Sequence, residues 1–202
     1  MKILVGLGNP GKEYEWTRHN VGFLLVDYMS EKFDFGSWKM KKNLECEMID
    51  GKINNERIVL IKPMTYMNNS GRAVRRVVDF FDIDNSDLYI CHDDMDLDFE
   101  NIQIKMGGGT AGHHGLESII QHLGGAGDFL RLRVGIGKTG KKVLDSSKGG
   151  KYVVGKFTDE EIKKMPEILN RIEEAFFCCL DGDLEKCMTK YNKKISSNLL
   201  ME

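Results

Sequence analysis

The chain has 202 residues, 41% apolar and 30% charged, with 29 Lys and Arg against 31 Asp and Glu for a net charge of −2. That length suits one domain, expected to span 1–202, and can bury a substantial core. No apolar run approaches the roughly 18–20 residues needed to cross a bilayer, so a membrane protein is excluded, and the near-neutral balance does not advertise a nucleic-acid binder.

The N-terminus MKILVGLGNPGKEYEW breaks into Gly, Asn and Pro too early for a signal-peptide core, so a cytosolic chain is expected. Short apolar runs then alternate with longer amphipathic ones, the mark of an α/β domain. In chain order the pattern predicts a strand over 2–7 and a helix over about 20–33. Strands over 44–49 and 57–62 follow, paired as an antiparallel hairpin through a turn from Gly51 to Asn55. Next come a helix over 70–82 that Asn69 or Ser70 can cap, strands over 88–93 and 102–106, a helix over 113–123 and a strand over 131–137. A long helix over 158–180 opens with a Thr158 and Glu161 capping box and should kink or restart at Pro166, and a short helix covers 183–192. The expected architecture is a three-layer α/β/α domain around a mixed, mostly parallel sheet. The Gly/Ser/Lys-rich stretch 138–151 offers almost nothing to bury and is the candidate mobile loop.

Five cysteines, Cys46, Cys91, Cys178, Cys179 and Cys187, form no CxxC pair, and their odd number argues for free thiols. Cys178 and Cys179 lie in the apolar stretch AFFCCL, which favours buried structural cysteine over a reactive thiol. Charge is unevenly spread. Arg131 to Lys156 holds eight basic residues against the single acid Asp145, whereas Phe157 to Glu185 holds nine acids against three bases. A basic segment of this kind is a solvated loop as readily as an anion site, so it needs a chemical neighbour.

Gly6, Gly8 and Gly11 match the GxGxxG dinucleotide fingerprint after a strand, but Pro10 turns Asn9 away from helical angles and no helical periodicity follows. NAD or FAD binding is therefore not expected. The glycines instead let the loop turn tightly and present Asn9 at a cleft.

Polar clusters gather where strands of an open α/β sheet end: GNPGKEYEWTRHN, KPMTYMNNSG, HDDMD and KMGGGTAGHHG. A histidine beside a carboxylate can take a proton from water, because the carboxylate sets the tautomer and stabilises the imidazolium. His19 and Asp93 fit that pairing. With no GxSxG elbow, attack by activated water is favoured over an acyl-enzyme. The amides of Asn9 and Asn68 suit a developing oxyanion or an oriented water. His92 reads as structural, and Asp94 and Asp96 as turn or capping residues. The rival is a metal site built from HDDMD and HH. Against it, adjacent residues at a strand end diverge, and no HxxxH or ExxH pair exists.

The blocks VGLGNPGKEYEWTRHNVGF, KPMTYMNNSG, HDDMDL, KMGGGTAGHHGLESII, FLRLRVGIG and YVVGKF, in that order, closely resemble the bacterial-type peptidyl-tRNA hydrolases over nearly the whole chain. The resemblance implies hydrolysis of the ester joining a peptide to the 3′-terminal ribose of tRNA, without a cofactor or metal. By matching position it implies His19 as general base and Asp93 as its orienting partner. It also implies Asn9, Tyr14, Tyr66, Met67, Asn68, His113 and His114 as the substrate-binding set. Lys105 and Arg133 would be the phosphate-binding pair, which supplies the basic segment with its neighbour. The partner expected is peptidyl-tRNA at its acceptor end and 3′ terminus, read by shape and charge, with no membrane, no obligate protein partner and a monomeric chain. One position departs: where the family usually reads GHNG, Gly112-His113-His114-Gly115 replaces an asparagine by His114. That departure keeps open the alternative of a catalytically inactive RNA-binding relative, which the intact Asn9, His19, Asn68 and Asp93 oppose.

Overall fold

Runs of β-branched and aliphatic residues with no polar alternation, such as KILVG and LYIC, suit strands covered on both faces. The computed structural model describes residues 1–137 and 146–194, leaving aside the side chains of 146–149. Its elements are β1 (Lys2–Gly6), α1 (Val21–Lys32), β2 (Lys39–Lys41), β3 (Cys46–Ile53), β4 (Glu56–Pro63), α2 (Ser70–Phe81), β5 (Leu88–Asp98), β6 (Ile102–Met106), α3 (His114–His122), β7 (Leu130–Gly137), α4 (Ser146–Val153), α5 (Asp159–Leu180) and α6 (Leu184–Tyr191). One seven-stranded sheet has the order β2-β3-β4-β1-β5-β7-β6. The four central strands are parallel, whereas β2, β3 and β6 join through antiparallel pairs. The expected α/β fold with a mixed sheet is what forms, its six strand pairs divided evenly between parallel and antiparallel. Two apolar cores flank the sheet, one packing α1 and α5 and the other α2 and α3, which makes the three layers.

Backbone contact between β1 and α1 brings their loops together. A Cβ on Gly6 would meet the Gly22 carbonyl oxygen at 2.1 Å, so only glycine allows this approach. The chain leaving β1 is then tied across to β5 by the Leu7 amide, which donates to Cys91 O at 3.0 Å.

Several expectations need correction. The β3–β4 turn is tighter than Gly51–Asn55: pairing continues to Ile53 and Glu56, with Asn54 and Asn55 both at positive φ (49° and 64°). Asparagine tolerates that conformation, which a two-residue hairpin turn requires. β5 does not stop at residue 93 but runs to Asp98, with a register shift against β7 between Asp94 and Asp98. β2 is an additional strand whose three exposed residues carry no apolar alternation. Of the loop expected over 138–151, residues 138–145 lie outside the described residues, and α4 begins at Ser146. α5 continues through Pro166 without restarting, while the Thr158–Glu161 capping box forms as expected. Neither Asn69 nor Ser70 caps α2 by side chain; the Gly71 amide donates instead to Ser118 Oγ of α3 at 3.0 Å.

The cysteine expectation also fails in part. Cys178 and Cys187 form a disulfide, because α5 and α6 fold back through a turn at Gly182 (φ 90°) that brings their Cα atoms to 5.7 Å. An odd count forbids pairing all five cysteines, not pairing two. Cys46, Cys91 and Cys179 are free and buried, and burial pushes the Cys46 and Cys179 thiols up to about 12.

Candidate active site

The parallel order of β4, β1, β5 and β7 puts their carboxyl ends along one rim, the usual place for a site in an open α/β sheet. The loop after β1 carries Asn9, the turn before α1 carries His19, the segment after β4 carries Tyr66 to Asn68, β5 carries Asp93, and the loop into α3 carries His113 and His114.

Asp93 is buried, and its Oδ1 meets His19 Nδ1 at 2.7 Å and His113 Nε2 at 3.1 Å. Burial alone would raise its pKa. The neighbouring His19 and His113 rings and the hydrogen bonds they give outweigh that and hold the carboxyl well below the usual range. Ionised, Asp93 can only accept, so both ring nitrogens donate to it. His113 Nδ1 in turn accepts from the Leu116 amide at 3.4 Å as the N-cap of α3, which makes His113 the neutral Nε2–H tautomer. With the His19 proton on Nδ1, its Nε2 is left bearing a lone pair. His19 and His113 line a cavity of about 330 Å³ with Asp94, Met95, Thr110, Ala111, His114 and Val153.

His92 donates from Nδ1 to Asp93 O at 2.7 Å, and its Nε2 is buried without a partner. Burial, reinforced by the neighbouring His113 and by Arg131, pushes its imidazole down to about 3, so it is neutral. His92 therefore lies next to the His19–Asp93 pair, on the wall of an adjoining cavity.

Asn9 is buried and its side-chain oxygen accepts from the Met67 amide at 2.8 Å, which couples the β1 loop to the Met67–Asn69 turn. Only its Nδ2 end is then left to donate outward. Asn20, absent from the expected set, clamps Asn9: the Asn9 amide donates to Asn20 Oδ1 at 2.8 Å, and Asn20 Nδ2 donates to Asn9 O at 3.0 Å. Its place next to His19 was the only available signal, and an asparagine at a helix start reads as a cap. Arg18, also unforeseen, is buried and donates to Glu161 Oε2 at 2.6 Å and to Lys156 O at 2.8 Å, fastening the His19 turn to the start of α5.

Asn68 is exposed, Met67 is buried, and Tyr66, 53% exposed at a positive φ of 58°, faces the Tyr14 ring edge-on at 6.3 Å. His114 points outward, its side chain 67% exposed, with Nδ1 3.0 Å from Glu117 Oε2. Lys105 and Arg133 come together with Arg131, His92, Asp94, Gly109, Thr110 and Ala111 around a second cavity of about 190 Å³. Asp94, Thr110 and Ala111 line both cavities, so the two adjoin. Arg133 Nε donates to Asp94 Oδ2 at 2.7 Å and its Nη1 to Gln103 Oε1, while Asp94 Oδ1 accepts from the Asp96 amide. Lys105 has no ion pair among the described residues.

One group of metal-capable side chains lies close together among the described residues: His19, Asp93 and His113, with ligand atoms within 4.8 Å. A ring nitrogen that carries a proton cannot ligate a cation. Both nitrogens facing Asp93 donate to it as arranged, so the three side chains form a hydrogen-bonded cluster that would have to release those protons to hold a cation.

Comparison with known proteins follows the same outline. The model of the family described as Peptidyl-tRNA hydrolase matches residues 3–198. The peptidyl-tRNA hydrolase of Mycoplasma mycoides is 43% identical over 95% of this chain and all of its own length, and that of Bacillus subtilis is 38% identical over 96% and 100%. The crystal structure of peptidyl-tRNA hydrolase from Acinetobacter baumannii superposes with a TM-score of 0.85 at 33% identity, covering 95% of this chain and 94% of the other. No helix among the described residues is long and apolar enough to cross a membrane.

Proposed function

The chain belongs to the peptidyl-tRNA hydrolase family and hydrolyses the ester bond between peptide and tRNA; from that premise we propose that His19, oriented by Asp93, is its general base. The observation that carries the assignment is the 2.7 Å bond from His19 Nδ1 to a buried, ionised Asp93, which leaves the lone pair of Nε2 available. A water beside Nε2 gives up its proton as its oxygen attacks the ester carbonyl carbon, and Asp93 stabilises the imidazolium that forms. Negative charge then builds on the carbonyl oxygen. The Nδ2 groups of Asn9 and Asn68 are neutral donors suited to it. When the tetrahedral intermediate collapses, the ribose oxygen leaves with the proton that His19 returns, so no cofactor enters the balance.

His113, on the wall of the same cavity, also acts on Asp93: it holds the second bond to Oδ1 and keeps that carboxylate aimed at His19. Tyr14, Tyr66 and Met67 line the approach of the 3′ end, with His114 at the rim of the His19 cavity. Lys105 and Arg133 bind a tRNA phosphate in the adjoining cavity. Phosphate contacts position a nucleic acid without reading its sequence, as an enzyme acting on many tRNAs requires. Residues 1–202 act as one domain, as a monomer in the cytoplasm and without an obligate protein partner.

The test is release of peptide from an N-acylated aminoacyl-tRNA by the wild type, by His19→Ala, and by the wild type with EDTA. Turnover is expected to fall at least ~100-fold in His19→Ala and to be unaffected by chelator. Full activity in His19→Ala would remove the assigned base, and loss with EDTA would restore the metal reading.

A further inference from the structure

Arg131 is a large cation with only 1% of its surface exposed, yet among the described residues it has no carboxylate partner. Its Nη1 donates to Gly109 O at 2.7 Å and its Nη2 to Gly108 O at 2.6 Å, while the guanidinium carbon lies 5.0 Å from the centre of the Phe129 ring. Nε is buried without a partner. An unpaired buried charge is costly, and a hydrophobic side chain of similar volume usually serves stability as well or better. The two carbonyls it holds belong to exposed glycines that could turn to water instead. Stability of the core is therefore a poor reason for this arginine.

The loop it holds gives a better one. Residues 107–112 include positive φ angles at Gly107, Gly108 and Gly112, where glycine has little preference, and at Ala111, where the conformation is disfavoured, so the loop does not hold this shape by itself. At one end, Gly108 lies against the Lys105 side chain, where a Cβ would come within 2.8 Å of Nζ. At the other end comes His113, bonded to Asp93 Oδ1. Arg131 pairs with Lys105 across β6 and β7 and shares its cavity. The planar fork of an arginine can hold two carbonyls at once at a set angle, which a lysine cannot.

We propose that Arg131 is a positioning residue for hydrolysis: its bidentate grip on Gly108 and Gly109 sets the 107–112 loop so that His113 meets Asp93. The inference rests on the assignment of His19 and Asp93 above. The effect of Arg131 runs through His113 and falls on the chemical step.

Arg131→Lys and Arg131→Met separate this from a folding role. Arg131→Met keeps the volume and removes the uncompensated charge, so its melting temperature should stay within about 3 °C of the wild type or rise. Its kcat should fall roughly 10- to 100-fold with KM changed less than about threefold, since misplacement of a catalytic group is felt in the chemical step. Arg131→Lys should show the same split. Wild-type kcat in both variants, or kcat falling only in step with melting temperature, would overturn the proposal. So would an unfolded Arg131→Met beside a fully active Arg131→Lys. His19→Ala assayed in parallel keeps the two failures apart: if it stays active, the base assignment is at fault rather than Arg131.

Discussion

At the scale of single residues the site is organised by one oxygen. Asp93 Oδ1 takes donors from His19 and His113, and the carboxylate survives burial because of them. A carboxyl with a depressed pKa contributes stability above its unfolded value near 4 and loses it as pH falls further. The difference in melting temperature between wild type and Asp93→Asn should therefore shrink as pH drops from 5 to 3. His92 titrates in a higher window. With its imidazole pushed down to about 3 from 6.5, the unfolded chain binds a proton that the folded one refuses, so stability is full above pH 6.5 and erodes below it. Relative to His92→Asn, the wild type should lose roughly 3 kcal/mol between pH 6.5 and 4 in urea titrations; parallel curves would refute the burial-driven shift. His114 carries only an exposed pair with Glu117, so His114→Asn should keep or raise turnover. Complete loss would give that imidazole a role its geometry does not suggest.

At the scale of elements, α2 and α3 hold the rim of the site together. The Gly71 amide at the start of α2 is satisfied by Ser118 of α3, so Ser118→Ala should cost about 1 kcal/mol, read as a lower denaturation midpoint with unchanged slope. β2 shows a different economy. It ends the sheet with three exposed residues, and Lys39 and Lys41 shield its free edge from pairing with another chain. Replacing both by valine should raise self-association in light scattering. Capping signals in the sequence were reliable where they were local, as at Thr158 and Glu161, and missed where the partner lay 47 residues away, as at Gly71 and Ser118. β2 was illegible for a related reason: among the described residues it pairs with β3 alone, and nothing in the run KMK records that pairing.

At the scale of the whole molecule, charge and connectivity matter together. The net charge of −2 hides a local basic region over 131–156, and among the described residues its Arg131 and Arg133 share the second cavity with Lys105. Substrate KM should therefore rise with ionic strength, and Lys105→Ala should lower the slope of log KM against log salt by roughly one. An unchanged slope would detach Lys105 from the tRNA. The Cys178–Cys187 bridge closes a short loop at the far end of α5, away from the His19 cavity, so reduction should lower stability by roughly 2–3 kcal/mol without abolishing hydrolysis.

Sequence alone was enough for the alternation of elements and the polar clusters at strand ends, among which the resemblance singled out His19 and Asp93. Each of these is written in local periodicity or in a contiguous run of residues, and the resemblance to known hydrolases rests on the same runs. Only the tertiary structure decided who touches whom around that pair. His113 came to share Asp93, Asn20 to clamp Asn9, Arg131 to grip the glycine loop and Cys178 to meet Cys187. The reason is physical: these contacts join residues whose side chains carry no mark of their partner, and they exist because the parallel sheet and its packed helices bring distant segments within hydrogen-bond or bonding reach.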